Sequence, residues 1–227
     1  MSRRPGLSSD YHSGYLKRLC EQNRALFDSP YIWRFEPDDL PLNPRRHFRH
    51  CRGTFLEIGF GHGEVLEALI PLHPGVGFIG IERRPARVRK ALKRLRRIGA
   101  AHTALIRVNL ELCRHRLFAP GSFDEILINH PDPWPKRRHL HHRFFRPDTV
   151  DWLAGLLARG GCIEVASDHD EYFFHILHLF EVDPRFESRL KPPFYSSDPM
   201  PDRPMSRYEK KKRAAGVIVR LLRFTKK

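Results

Sequence analysis

A chain of 227 residues suits one domain, and its 41% hydrophobic content is enough for a sizeable core, which argues against disorder over most of the length. Lys and Arg total 41 against 26 Asp and Glu, a formal net charge of +15 that points to a polyanionic partner, nucleic acid before an anionic membrane surface. Four scattered cysteines (Cys20, Cys51, Cys113, Cys162) with no CxxC pair exclude a zinc ribbon and make a disulfide scaffold a poor fit.

The opening MSRRPGLSSDYHSGY is charged and lacks the apolar core of a secretory signal. No later apolar run approaches the ~20 residues of a membrane span. A cytoplasmic protein that binds no membrane is expected. Residues 1–50 read as a basic extension rather than as core, with a helix around Tyr15–Phe27 and then Pro30, Pro37, Pro41 and Pro44 among Arg45, Arg46 and Arg49.

Residues 51–227 read as the main domain. Apolar runs alternate there with amphipathic stretches: TFLEI, a helix after Gly63, GFIGI, a helix from Pro85, TALIRV, FDEILI, a helix from Pro147, CIEVAS, and a helix to about Val182. That alternation predicts an α/β fold, a parallel sheet with helices on both faces. The helix from Pro85 to Ile98 is the clearest element. Pro85 suits its first turn, Gly99 its end, and Val88, Leu92, Leu95 and Ile98 one face. The other face is dense in Arg and Lys, which suits RNA phosphates about as well as plain solvent. After a Pro-rich loop (191–204), GVIVRLLRF alternates like a strand, and a late strand pair with one antiparallel member would complete seven strands.

Three segments carry chemistry. The first strand ends Glu57-Ile58-Gly59-Phe60-Gly61-His62-Gly63, a turn that lets backbone approach a ligand ahead of a helix N-terminus. A pyrophosphate would want G-x-G-x-x-G, and Glu57 would repel it, which disfavours a nicotinamide oxidoreductase. A carboxylate there suits an ammonium, such as the methionine end of S-adenosylmethionine. Glu82 closes the second strand, where an acid takes ribose hydroxyls. Asn109, after the third strand, suits either an adenine contact or a strand-end cap. The third segment, Asn129-His130-Pro131-Asp132-Pro133-Trp134-Pro135-Lys136, follows the fourth strand, and its prolines preorganise Asp132 and Trp134 at the ligand-binding edge. His139, His141 and His142 bring no Cys or carboxylate at zinc spacing, so no metal is expected.

LEIGFGHGE (56–64), FIGIE (78–82) and PDPWPKRRH (131–139), joined by SDHDEY (167–172) and SRYE (206–209), resemble the bacterial-type tRNA (guanine-N7-)-methyltransferases. The resemblance implies a Rossmann-like class I methyltransferase fold with a seven-stranded, mostly parallel sheet. It implies S-adenosyl-L-methionine as cofactor, tRNA as partner, and methylation of guanine N7 in the variable loop by a monomer or homodimer.

By position, Glu57, Gly59, Gly61, Gly63, Glu82 and Asn109 match cofactor contacts. Asp132 matches the active-site aspartate beside the cofactor. Lys136, Asp168, Ser206, Arg207, Tyr208 and Glu209 match substrate positions, and Arg138, His139 and Arg143 match an RNA-contacting run. The chain departs from the family in carrying Asn129-His130 where aromatic residues usually stand, and Tyr208 where Phe is usual. A methyltransferase for another RNA, or a non-catalytic RNA-binding protein with a vestigial pocket, are the competing readings.

Overall fold

The structure, a computed structural model, describes residues 9–227. The first eight residues of the expected extension lie outside the described residues. Among the described residues seven strands form one sheet: β1 (Gly53–Ile58), β2 (Val76–Glu82), β3 (Thr103–Arg107), β4 (Phe123–Asn129), β5 (Leu157–Ser167), β6 (Phe186–Ser188) and β7 (Arg220–Lys226). Their order is β3-β2-β1-β4-β5-β7-β6. β1 to β5 are parallel, while β7 runs antiparallel to both β5 and β6. The order reverses between β1 and β4, which opens a crevice at the carboxyl ends of those strands.

Among the described residues eight α-helices accompany the sheet: α1 (Ser9–Leu26), α2 (Pro44–His47), α3 (Glu64–Leu69), α4 (Pro85–Arg97), α5 (Arg114–Leu117), α6 (Pro147–Leu156), α7 (Asp170–Glu181) and α8 (Arg207–Ala214). α4 starts at Pro85 as expected and buries Val88, Ala91, Leu92 and Leu95. Its apolar face joins Val65, Leu66, Phe55, Phe78 and Leu105 in one core cluster. Residues from α6 and α7, Leu153, Phe173, Ile176 and Phe180 among them, fill the core on the other side with Ile128, Ile163 and Phe224. Residues of β1, β2 and β4 appear in both clusters, as strands covered on two faces must.

The N-terminal segment corrects the expectation that it stands apart from the core. Leu16, Leu19 and Cys20 on α1, then Phe27, Ile32, Phe35, Leu42 and Phe48, are all buried. The apolar face of α1 recurs at helical spacing and docks on the free edge at β3. There Trp33 donates its N–H to Leu105, and Leu105 donates back to Tyr31, so residues 31–33 cover the exposed edge.

Candidate active site

Three features meet at the carboxyl edge of the sheet. β1 ends on Glu57 and turns into α3 through Gly59, Gly61 and Gly63, all with positive φ. Gly63 has φ +77°, and a Cβ there would stand 2.7 Å from the Cβ of Ala91 on α4, so no other residue fits. Beside Gly59 the position a Cβ would take is open, with no protein atom within 4 Å. A ligand can therefore lie directly on that backbone.

Glu57 is 2% exposed. Its Oε1 accepts a long hydrogen bond from Asn129 Nδ2 at 3.5 Å, and its Oε2 has no partner. Burial pushes its carboxyl up to about 8. A buried carboxylate with an idle oxygen is costly until a cationic donor supplies the missing bonds. Glu82 is also buried, and its Oε1 accepts the backbone N–H groups of Arg83 and Arg84 at 2.8 and 2.9 Å. Asn109 begins a 3-10 turn without capping it by its side chain, and its backbone N–H donates to the hydroxyl of Tyr15 on α1 at 3.0 Å. The strand-end cap is thus not what Asn109's side chain provides.

The loop after β4 is strained and anchored. His130 and Trp134 sit at φ +47° and +42°, unusual for residues with side chains. Asp132 is exposed, its carboxylate 3.9 Å from Arg83 across the crevice from β2. Lys136 and Arg138 are exposed. His139 and His142 flank the ring of Trp134, at centroid distances of 5.7 and 5.0 Å.

Arg143 corrects the expectation of an RNA contact. It is buried, donates to the Pro133 carbonyl at 2.8 Å and to Glu171 at 2.9 Å, and lies 4.8 Å over the Tyr172 ring. Its charge holds the loop to α7, and its burial turns it away from a phosphate at the surface.

A second acidic centre forms at Asp168, just past β5. Its Oδ1 pairs with His130 Nδ1 at 3.0 Å, and its Oδ2 accepts from the Tyr208 hydroxyl at 3.0 Å and Lys212 Nζ at 2.9 Å. The His130 contact first, then Lys212 and Tyr208, hold its carboxyl far below the usual carboxylate range. Asp168, Tyr208 and His130 thus come together, whereas Asp132 stands beside Arg83, just past β2.

Two further expectations change at the start of α8. The Ser206 hydroxyl is the helix N-cap, accepting the Glu209 N–H at 3.1 Å. Glu209 is fully buried, paired with Arg203 at 2.6 Å and Arg213 at 3.0 Å, so it has no face for a substrate. Arg207 ties its backbone N–H to Glu64 at 2.9 Å and leaves its side chain exposed.

The basic face of α4 is also partly committed. Arg94 bridges to Glu64 and Glu67 on α3, Arg97 pairs with Glu67, and Arg87 with Glu82. Arg84, Lys90 and Lys93 remain exposed with no carboxylate partner among the described residues. Sequence reasoning did not single out Arg203 or Tyr15, and it read Lys212 only as one of a phosphate-neutralising run, Lys210–Arg213, whereas Lys212 pairs with Asp168. Arg203 had one available signal, a lone arginine between Pro201 and Pro204 in a loop that otherwise has no reason to carry an inward charge.

A seven-stranded sheet of this order, with an acidic strand end on either side of a glycine turn, defines a class I S-adenosylmethionine-dependent methyltransferase. The unpartnered Glu57 oxygen, the open backbone at Gly59 and the buried Glu82 carboxylate fit that cofactor: an ammonium acceptor, a bed and a hydroxyl acceptor. A family model described as "Putative methyltransferase" matches residues 52–221.

Among curated relatives, the tRNA (guanine-N(7)-)-methyltransferase of Mycobacterium avium is 35% identical over 79% of this chain and 68% of its own length. That of Nitrosomonas europaea is 32% identical over 82% of both. That of Cutibacterium acnes is 34% identical over 71% of this chain, and the match spans 58% of the relative's length. The chain belongs to the tRNA (guanine-N(7)-)-methyltransferase family.

Solved structures share the fold. A 30S ribosomal A1408 methyltransferase from an uncultured bacterium superposes with a TM-score of 0.55 at 14% identity, covering 80% of this chain and 91% of that one. A geranyl diphosphate C-methyltransferase from Streptomyces coelicolor, crystallised with S-adenosyl-L-homocysteine, gives 0.52 at 12% identity, covering 81% and 75%. Among the described residues no helix is long and apolar enough to cross a membrane, and no group of three His, Cys, Asp or Glu could hold a metal.

Proposed function

We propose that this chain methylates N7 of a guanine in the variable loop of tRNA, giving 7-methylguanosine. The observation that carries this reading is the convergence of the Glu57–Gly63 turn and the proline-stiffened Asp132–Trp134 loop on one crevice, with the Asp168 centre beside it. S-adenosylmethionine supplies an electrophilic methyl group when bound. In this reading Glu57 holds its ammonium, Glu82 its ribose hydroxyls, and Asn109 lies toward its adenine.

Guanine N7 presents a lone pair at neutral pH, so no side chain need remove a proton before attack. The protein's work is alignment and electrostatics. Asp132, on the loop bordering the cofactor crevice, faces the positive charge that grows on the purine. Asp168, held ionised by its three donors, is the acceptor for the guanine N1–H and amino group, with Tyr208 and Lys212 as the partners that must give way. Lys136, Arg138, Arg207 and the free cations of α4 are the phosphate contacts, and His139 with Trp134 is the face for an unstacked base.

Replacing Asp132 by Ala tests the assignment. Methyl transfer to unmodified tRNA should fall at least a hundredfold while the tRNA dissociation constant stays within about threefold. Unchanged turnover removes Asp132 from the active site.

A further inference from the structure

The Pro-rich loop between β6 and α8 sends one cation inward. Arg203 is 6% exposed and reaches three partners. It pairs with Glu164 on β5 at 2.5 Å, with Glu209 on α8 at 2.6 Å, and donates to the amide oxygen of Asn129 at the end of β4. The third contact has a directional consequence. An amide whose oxygen accepts from a guanidinium must turn its NH2 group the other way, and Asn129 Nδ2 is turned to Glu57.

Glu57 and Asn129 share a face of the sheet. β1 pairs Glu57 with Leu127, and Asn129 lies two residues beyond, where the side chain returns to the same side. Asn129 is the one side chain that hydrogen-bonds Glu57 among the described residues. Two charged groups act on Glu57: Arg203, which favours the carboxylate, and Glu64 at the start of α3, which opposes it. The 3.5 Å bond is long, which leaves most of the carboxylate's capacity to a ligand.

Building on the reading of Glu57 as the ammonium acceptor, we propose that Arg203 and Asn129 are positioning residues for the cofactor. Arg203 fixes the Asn129 amide, and the amide steadies Glu57 as an ionised acceptor. The loop leading to α8, whose Tyr208 and Lys212 hold Asp168, is thereby tied to the cofactor pocket. Neither partner belongs to the glycine turn: Asn129 ends β4 and Arg203 lies in the loop before α8.

The test is calorimetric binding of S-adenosylhomocysteine between pH 6 and 9, with thermal melting as the check on folding. Asn129→Leu keeps the shape of the side chain and leaves Arg203 its two carboxylate partners. It should weaken binding about tenfold at pH 7, the loss of one bond to a charged group, and move the pH at which affinity rises upward. A packing defect alone would leave that pH where it is. Should the leucine chain not melt cooperatively, Asn129→Ser carries the same comparison.

Arg203→Lys should weaken binding similarly, and the double variant should bind no more weakly than Asn129→Leu alone, since both changes break one chain of contacts. Glu57→Gln should lose the pH dependence together with most of the affinity. If Glu57→Gln binds like the parent, the reading of Glu57 fails. If Glu57→Gln fails to bind but Asn129→Leu stays within twofold of the parent with the same pH profile, or the two losses add, the proposal on Arg203 and Asn129 is overturned while Glu57 keeps its role.

Discussion

Glu57 is where function and stability conflict most plainly. Its carboxyl sits near 8 in the folded protein because it is buried with one oxygen idle, whereas an exposed glutamate ionises near 4.5. Between those two values the folded chain holds a proton that the unfolded chain has lost. Stability therefore falls as pH rises through that window and levels off above it. Glu57→Gln removes the ionisation, so the cofactor-free variant should melt higher than the parent at pH 8, with a gain on the order of 3 kcal/mol that vanishes near pH 4. Thermal melts at the two pH values check this, and a variant less stable than its parent at pH 8 would contradict it.

Gly63 makes the opposite kind of prediction. At φ +77° and 2.7 Å from the Ala91 Cβ, Gly63→Ala combines strain with a clash against backbone-anchored carbon. It should destabilise the protein by about 2–4 kcal/mol in urea unfolding. The residue scale also shows why some expected contacts were misread. Arg143 and Glu209 look like any other charges in the chain, and what makes them structural is a partner 28 or 6 residues away, Glu171 in one case and Arg203 in the other. Pattern alone does not carry that information.

Elements were legible in proportion to their length and isolation. β1, β2 and β4 announce themselves as apolar runs that stop at a glycine, an acid or a proline, and α4 by its periodicity between Pro85 and Gly99. β6 has three residues, too few for any period to show, and β5 begins five residues earlier than its apolar core suggests. The helix in the N-terminal segment was readable, but its partner was not, because docking on the edge at β3 is a contact across 85 to 94 residues of sequence. Leu16 is fully buried there, so Leu16→Ala should cost about 2–4 kcal/mol by denaturant unfolding, where a loose extension would cost almost nothing.

For α4 the expectation concerns salt. Arg84, Arg89, Lys90, Lys93 and Arg96 lack a carboxylate partner among the described residues, with Arg89 over the Phe27 ring and Arg96 on the Asp28 carbonyl, so changing Arg84, Lys90 and Lys93 to Gln should lower the slope of log affinity for tRNA against log salt by about 2–3. The ion-paired Arg94 and Arg97 contribute through α3 instead. An unchanged slope would place the RNA elsewhere.

At the scale of the molecule, the parallel sheet, its covering helices and the place of the crevice at the carboxyl ends of β1 and β4 all followed from strand–helix alternation, because those are set by local pattern and by the position of the chain reversal. What the sequence left out was the wiring that joins the two halves of the crevice. Arg203 links β5, α8 and β4, while Asp168 gathers His130 from one side and Tyr208 and Lys212 from the other. Such long-range polar networks depend on the finished fold, so cofactor and RNA sites should respond to each other's mutations more than their separation in sequence suggests.

The most direct measurement of the whole account is methyl transfer from labelled S-adenosylmethionine to an unmodified tRNA transcript, followed by chain cleavage specific for 7-methylguanosine. A single cleavage in the variable loop is the predicted result. Label elsewhere in the RNA would contradict the assignment of the target base, and no transfer at all would contradict the enzymatic reading.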